Sequence, residues 1–466
     1  MISFVFLCLL MGAGHLLRVY VKPLQKLQLP SCIIAGFLGL IVLQVLAAAE
    51  GAAESTHPAA AVAAELTAPW KFLPEALVCI VFACFFLGKP PPKFSTMGRD
   101  VGAQVLYGQM LVWGEYVVAV ALWIAALAWL FPQFPAMFAG ILPVGFAGGH
   151  GTAAGMAPAF THFGWADGRE FGFTSATFGM VTGLAVGMMM IYAAVRRSWL
   201  SRADLPTQTF PSGPNGVIPA GRRPRAGELT INSDVLETLS LQVVAVGAAV
   251  AVGYLIKYGL VLVETAIPIL HEHHVLSGFP VFPLCMIGGL VVQLLEDRFD
   301  KHRLIEAGLI RRIQNASVDF LVVAAIATIE FSIVVRGLVP LTILMVAGIA
   351  WNVFCLLLLA RRMFPDAWFE RGIVELGQAM GVTATGLLLL RVVDPDYETP
   401  AANAFACKQI VHVLFIGWTS AAIPLLAVVG PWPVLLVSSL VVAVCLVVGL
   451  WWGGPHGPGK STAKGG

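Results

Sequence analysis

Charge is what this chain has least of. Only 12% of its 466 residues are Asp, Glu, Lys or Arg, against a hydrophobic share of 58%, and its mean hydropathy is +0.85. A soluble chain of this length needs far more charge to cover its surface, so the composition excludes a soluble protein and defines an integral membrane one. No basic tract interleaved with aromatics is present, and the formal net charge of +2 offers nothing to nucleic acid. The eight cysteines are scattered through apolar runs without CxxC spacing, which argues against a disulfide framework or a thiolate metal centre. GxSxG, Walker and GxGxxG patterns are missing from any usable context, so no catalytic apparatus is visible and an enzyme is not expected. The first segment lacks a basic n-region and a small-residue cleavage site, and reads as a retained span.

What is there is apolar length. Runs of about 20 residues fall near 2–19, 30–49, 70–88, 101–131, 168–195, 236–265, 280–296, 316–336, 338–360, 400–428 and 432–452, giving about eleven spans. Two further stretches, about 135–163 and 367–393, are moderately apolar but punctuated by glycine. Basic residues test the count. Arg196, Arg197, Arg202, Arg222, Arg223 and Arg225 mark one loop as cytoplasmic. Lys22 and Lys26, Lys89 and Lys93, Arg298 to Arg312, and Arg361 with Arg362 fall on the same side only if both glycine-punctuated stretches return to the face they enter from. Both are therefore expected to be re-entrant hairpins. The N-terminus is then extracytoplasmic and the C-terminus cytoplasmic.

The halves correspond: five spans with a hairpin before the fifth, then five with a hairpin before the tenth. "LPSCIIAGFLGL" from Leu29 and "FPVFPLCMIGGL" from Phe279 open the second member of each set. An odd number of spans per repeat inverts the second repeat relative to the first, the pattern of a secondary transporter. The expected fold is an all-α polytopic membrane protein of two inverted-topology repeats plus one extra C-terminal helix. Its expected parts are a first repeat over 1–195, a cytoplasmic linker over 196–235, a second repeat over 236–428, and the extra helix with a disordered tail over 429–466.

Non-helical backbone at membrane depth is tolerated only in protein or lining a watery cavity, which makes the hairpin tips candidate binding elements. In the first, Gly148, Gly149 and Gly151 let backbone approach a ligand, His150 and Thr152 add polar side chains, and a helix starting near Thr152 aims free N–H groups at a carboxylate. In the second, Gly377, Gln378, Gly381, Thr383 and Thr385 offer carbonyls and hydroxyls, the hard oxygen donors that suit sodium. Glycine and threonine also serve membrane helices as packing residues.

Polar residues within spans are the second clue. Glu115 in the fourth span, Asn352 in the ninth and Lys408 in the tenth are candidate cavity-facing partners of the tips. Lys408, with His412 one turn on, either neutralises an acidic substrate or pairs with an intramembrane carboxylate. Glu330 reads as deeper in the eighth span than Asp319 and is a candidate ion or proton ligand. "HEHH" at 271–274 lacks HExxH spacing and reads as a solvated loop, so no metal beyond sodium is expected.

At these motifs the chain resembles the bacterial sodium/glutamate symporter family. "GGHGTAAG" at 148–155, "TSATFGMVTG" at 174–183, the "LPSCIIAGFLGL" segment and "MGVTATG" at 380–386 carry the likeness, which runs from the first span to the tenth. The resemblance implies a homodimeric inner-membrane symporter, driven by sodium, that takes up glutamate or a related small carboxylate, with no organic cofactor and an elevator-like movement of a hairpin-bearing domain. It places Gly148 to Thr152 and Gly381 to Thr385 at the site-forming tips. The eleventh span exceeds the family's ten, and Glu375-Leu376 stands where a histidine–glycine pattern is usual. Two alternatives are a proton-coupled carboxylate transporter using Glu115 or Glu330, and a membrane sensor or channel on the same fold.

Overall fold

The computed structural model describes residues 2–27, 29–51, 67–88, 99–201, 218, 223, 225–267, 276–277, 279–364, 366–394 and 399–453. Among them every regular element is a helix. Six helices are long and apolar enough to cross a membrane: Ile2–Tyr20, Val101–Leu130, Gly168–Arg196, Thr238–Ala266, Leu338–Met363 and Pro431–Trp452. At 1.5 Å rise per residue, about 20 residues bridge the hydrocarbon layer with all backbone groups bonded internally. The chain is thus a multi-pass membrane protein.

The other apolar runs are helical over different bounds. The third expected span is a 3-10 turn, Ala68–Lys71, followed by the helix Leu73–Ala83, because Pro74 resets the start. The eighth runs Ala307–Ala327, beginning well before residue 316. Its opening turns are polar and so invisible to hydropathy. They are held by Glu306, whose carboxylate accepts from the Gly308 and Leu309 N–H groups at 2.9 and 2.6 Å. Glu306→Ala should cost about 1 kcal/mol at this helix start, read as faster hydrogen exchange of the 308–311 amides; unchanged exchange would show the cap to be idle. The helix stops at Thr328, and Glu330 lies beyond it, ion-paired with Lys71 at 2.8 Å and with its side chain 47% exposed. Glu330 is therefore a helix-end residue and not a mid-span one.

The chain forms two compact units. The first comprises Met1–Pro91, His150–Phe173 and Thr209–Phe331; the second comprises Pro92–Gly149, Thr174–Gln208 and Ser332–Gly466.

In the first unit, Ile2–Tyr20, Ser31–Gly51 and Ala307–Ala327 pack through small residues, Gly36 facing Ile326 and Gly39 facing Ala327. Thr238–Ala266 lies on Phe282–Phe299, and its Lys257 and Glu264 hold the turn that precedes that helix. The Lys257 ammonium donates to the carbonyls of Leu276, Ser277 and Phe279 at 2.8, 2.7 and 2.6 Å, while Glu264 accepts from the Leu276 and Ser277 N–H groups. The "HEHH" segment lies outside the described residues.

In the second unit, Pro431–Gly453 runs along Arg99–Leu122, with Gly102 against the Trp452 ring. Trp113 stacks on Trp418 with centroids 5.0 Å apart, and the Trp351 indole donates to the Leu111 carbonyl at 2.9 Å across Gly114. Two helices in this unit widen into π turns, at Trp123–Leu127 and at Cys355–Ala360. Each wide turn is followed by a pair of short helices: Ile141–Gly145 with the start of Gly149–His162, and Trp368–Met380 with Thr383–Val393.

Candidate functional site

Both broken segments are built around glycine. In the first, the chain leaves Ile141–Gly145, turns through Phe146–Gly148 with the Gly148 N–H on the Pro143 carbonyl at 3.0 Å, and re-enters helix at Gly149. That is earlier than the expected start near Thr152. Gly149 has φ +66°, a left-handed conformation that glycine adopts without cost. In the second, Trp368–Met380 stops at Gly381, Val382 is extended, and Thr383–Val393 begins. The two arms pack closely where Gly377 meets Gly386. The Thr385 hydroxyl accepts from the Val382 N–H and ties the new helix to its own start.

The two breaks touch. A Cβ on Gly149 would stand 2.6 Å from Val382 Cγ1 and 3.7 Å from the Gly381 carbonyl oxygen. Helix Gly168–Arg196 supports the contact by presenting Gly179 and Gly183 to Met380, the last residue before the second break. Glu115 braces the first break, because its carboxylate accepts from the Ala147 N–H and from Asn352 Nδ2 at 3.0 Å. Asn352 also donates to the Gly348 carbonyl at 3.0 Å, so the fourth- and ninth-span polar residues bond each other directly.

Below the second break lies a buried polar network. Lys408 Nζ donates to Glu375 Oε2 at 2.8 Å and to Gln378 Oε1 at 2.9 Å. Gln104 Nε2 donates to the other Glu375 oxygen at 2.7 Å, and Gln378 and Gln409 exchange amide bonds at 2.9 and 3.0 Å. Gln378 also donates to the Thr383 hydroxyl at 3.4 Å, linking the network to the break itself. Glu115, Asn352 and Lys408 are 0% exposed, Glu375 1% and Gln378 2%, so each relies on protein partners in place of water. Gly108 makes the space, since a Cβ there would stand 2.7 Å from Glu375 Oε2.

Of the residues singled out from sequence, Gly148, Gly149, Glu115, Asn352, Gly377, Gln378, Gly381, Thr383, Thr385 and Lys408 lie in the second unit, and His150, Gly151 and Thr152 lie in the first. Lys408 is the partner of an intramembrane carboxylate. Gln104, Glu375 and Gln409 complete its network and were not singled out as ligands. Their signal is polarity inside apolar runs: Gln104 one helical turn before Gly108, Glu375 and Gln378 three apart, and Gln409 beside Lys408. A cavity of about 430 Å³ in the first unit, lined by Glu75, His162, Tyr254 and Lys257 among others, contains none of the expected site residues.

Long apolar helices, a pair of glycine-hinged breaks in contact, and a fully buried charge network are the features of a secondary transporter. The chain belongs to the sodium/glutamate symporter family, whose model matches residues 1–398. The match ends before helix Ala401–Val428, which carries Lys408 and Gln409. Neither a curated protein nor a solved structure matches the chain. By family, it couples sodium to the transport of glutamate or a related small amino-acid carboxylate.

Proposed function

We propose that sodium and substrate are handled where the two chain breaks meet, and the contact of Gly149 with Val382 is the observation that carries this reading. Sodium is assigned to the second break. Gly377 and Gly381 supply carbonyl oxygens and Thr383 and Thr385 hydroxyls; the Gly377 oxygen and Thr385 Oγ1 lie 3.1 and 2.7 Å from the Cβ position of Gly381. The substrate carboxylate is assigned to the N–H groups at Gly149, His150 and Gly151 and to the Thr152 hydroxyl, where a helix begins with its positive dipole end, while Gly148, its N–H on the Pro143 carbonyl, shapes the turn. Gln378 offers its amide to the substrate. Lys408, already committed to Glu375, acts by holding Gln378, and Glu115 with Asn352 holds the first break in place.

The two glycine-broken segments, about 135–163 and 367–393, are assigned as re-entrant hairpins of two inverted repeats, 1–195 and 236–428, joined by a cytoplasmic linker over 196–235. The π turns that precede both segments support this duplication. Helix Pro431–Gly453 is then an addition to the repeats. Arginine at the ends of Gly168–Arg196 and Leu338–Met363 supports a cytoplasmic placement for those ends, in the inner membrane, with the N-terminus outside. A homodimer is the assembly that the family resemblance implies.

The test is radiolabelled glutamate uptake into proteoliposomes under an imposed sodium gradient, with other amino and dicarboxylic acids as competitors. Thr385→Val should raise the sodium concentration for half-maximal uptake about tenfold, equal to ~1.4 kcal/mol, and Thr385→Ser should restore it. Sodium dependence unchanged in Thr385→Val would remove sodium from this break.

A further inference from the structure

An arginine–tryptophan cluster in the second unit has no place in the symport reading. Helices Gly168–Arg196 and Leu338–Met363 are both long enough to cross a membrane, and both end in arginine: Arg196 with Arg197, and Arg361 with Arg362. All four side chains are exposed, at the level where such helices leave the hydrocarbon for the headgroups. Among the described residues no carboxylate pairs with any of them. The carboxylates that follow Arg361 and Arg362 in the chain have other partners: Glu370 accepts from the Ser201 N–H and hydroxyl at 2.7 and 3.1 Å, and Asp366 pairs with Arg371 at 3.1 Å.

The cluster is shaped as well as charged. The Arg361 guanidinium lies 4.6 Å from the Trp368 ring centroid and 5.0 Å from that of Trp199, and Arg197 lies 5.4 Å from Trp199. Each tryptophan directly follows a non-glycine residue with positive φ, Ser198 at 50° and Ala367 at 39°. Backbone held in that region persists only where its surroundings over-determine it, and here both instances aim an indole at the same arginine. Stacking fixes the plane of the guanidinium and leaves its N–H edge for an acceptor, the geometry that binds phosphate oxygens two at a time.

We propose that this cluster is a binding site for the phosphodiester headgroup of an anionic phospholipid, with Arg361 as its centre. The phosphate accepts from the edge of Arg361 and is attracted by Arg196, Arg197 and Arg362, while Trp199 and Trp368 sit at the boundary between headgroup and acyl chain. A purely diffuse surface charge needs no strained tryptophan pair, and the two cases separate by experiment.

The full-length purified protein is delipidated in detergent, then titrated with phosphatidylglycerol or phosphatidylcholine of the same acyl chains, and retained lipid is counted by native mass spectrometry. Phosphatidylglycerol should bind about tenfold more tightly than phosphatidylcholine and stay bound in high salt, where diffuse attraction is screened. Arg361→Lys keeps the charge but loses the planar stack, and should lose most of that preference; Arg361→Gln with Arg362→Gln should abolish it. Equal retention of the two lipids, or an Arg361→Lys protein indistinguishable from the parent, overturns the proposal. Inorganic phosphate at millimolar concentration should not displace the lipid; full displacement would mean that the cluster binds a soluble anion instead. Because lipid retention is read without transport, failure here leaves the sodium and glutamate assignments untouched.

Discussion

Lys408→Met is expected to destabilise the protein by about 3–5 kcal/mol, the usual cost of removing one partner from a buried ion pair. The substitution leaves the Glu375 carboxylate buried with Gln104 as its remaining partner, and it takes from Gln378 the donor that orients its amide. The loss is read as a fall in the thermal unfolding midpoint of the detergent-purified protein. Glu375→Gln keeps hydrogen-bonding atoms for Gln104 and Lys408 but leaves the Lys408 ammonium as an uncompensated buried charge, so it should also destabilise the protein. The pair itself is weak evidence for stability, because desolvating two ions offsets most of their attraction. Lys408→Met combined with Glu375→Leu should therefore recover most of the loss, and the cycle of single and double variants gives the coupling. Uptake should not recover with it. A double variant that is stable yet inactive places Lys408 and Glu375 in positioning Gln378; a double variant with parental uptake would confine the pair to packing.

The contrast between Lys408 and Gly149 explains which parts of this molecule are legible along the chain. Apolar length is a local property, so the long helices emerge from it directly, while the start of Ala307–Ala327 does not, because its first turns are polar and are specified by the Glu306 cap. The same holds for the third span, shortened by Pro74. Glycine at Gly149 and Gly381 is legible because a cluster of small and polar residues contradicts the apolar run around it. The Glu375–Lys408 pair joins residues 33 apart, and Gln104 reaches Glu375 across 271 positions. Such partners belong to different helices whose faces are chosen by packing. Hydropathy marks each polar residue as costly without naming what satisfies it. Glu330 shows the converse: an acidic residue that an apolar window places deep is, in the fold, a helix-end residue paired with Lys71.

Gly149→Leu is expected to lower glutamate uptake about 100-fold, the scale on which a displacement near 1 Å at a working site is felt. Two costs combine. At φ +66° any residue with a Cβ pays about 1–2 kcal/mol, and the Cβ would stand 2.6 Å from Val382 Cγ1, forcing the two breaks apart before the rest of the leucine is placed. The two contributions can be separated. Gly164 has φ +79° with nothing within 4 Å of its Cβ position, so Gly164→Ala carries the strain without the collision and should retain uptake. Gly149→Ala carries both in their smallest form, and Val382→Ala removes the atom it strikes. Gly149→Ala with Val382→Ala should therefore transport better than Gly149→Ala alone, a rescue that simple additivity does not allow for residues out of contact. Thr383→Ala added to Gly149→Leu should leave no sodium-driven uptake. Uptake at parental rates in that double variant would mean that the solute crosses without using either break, and the site would have to be sought elsewhere in the fold.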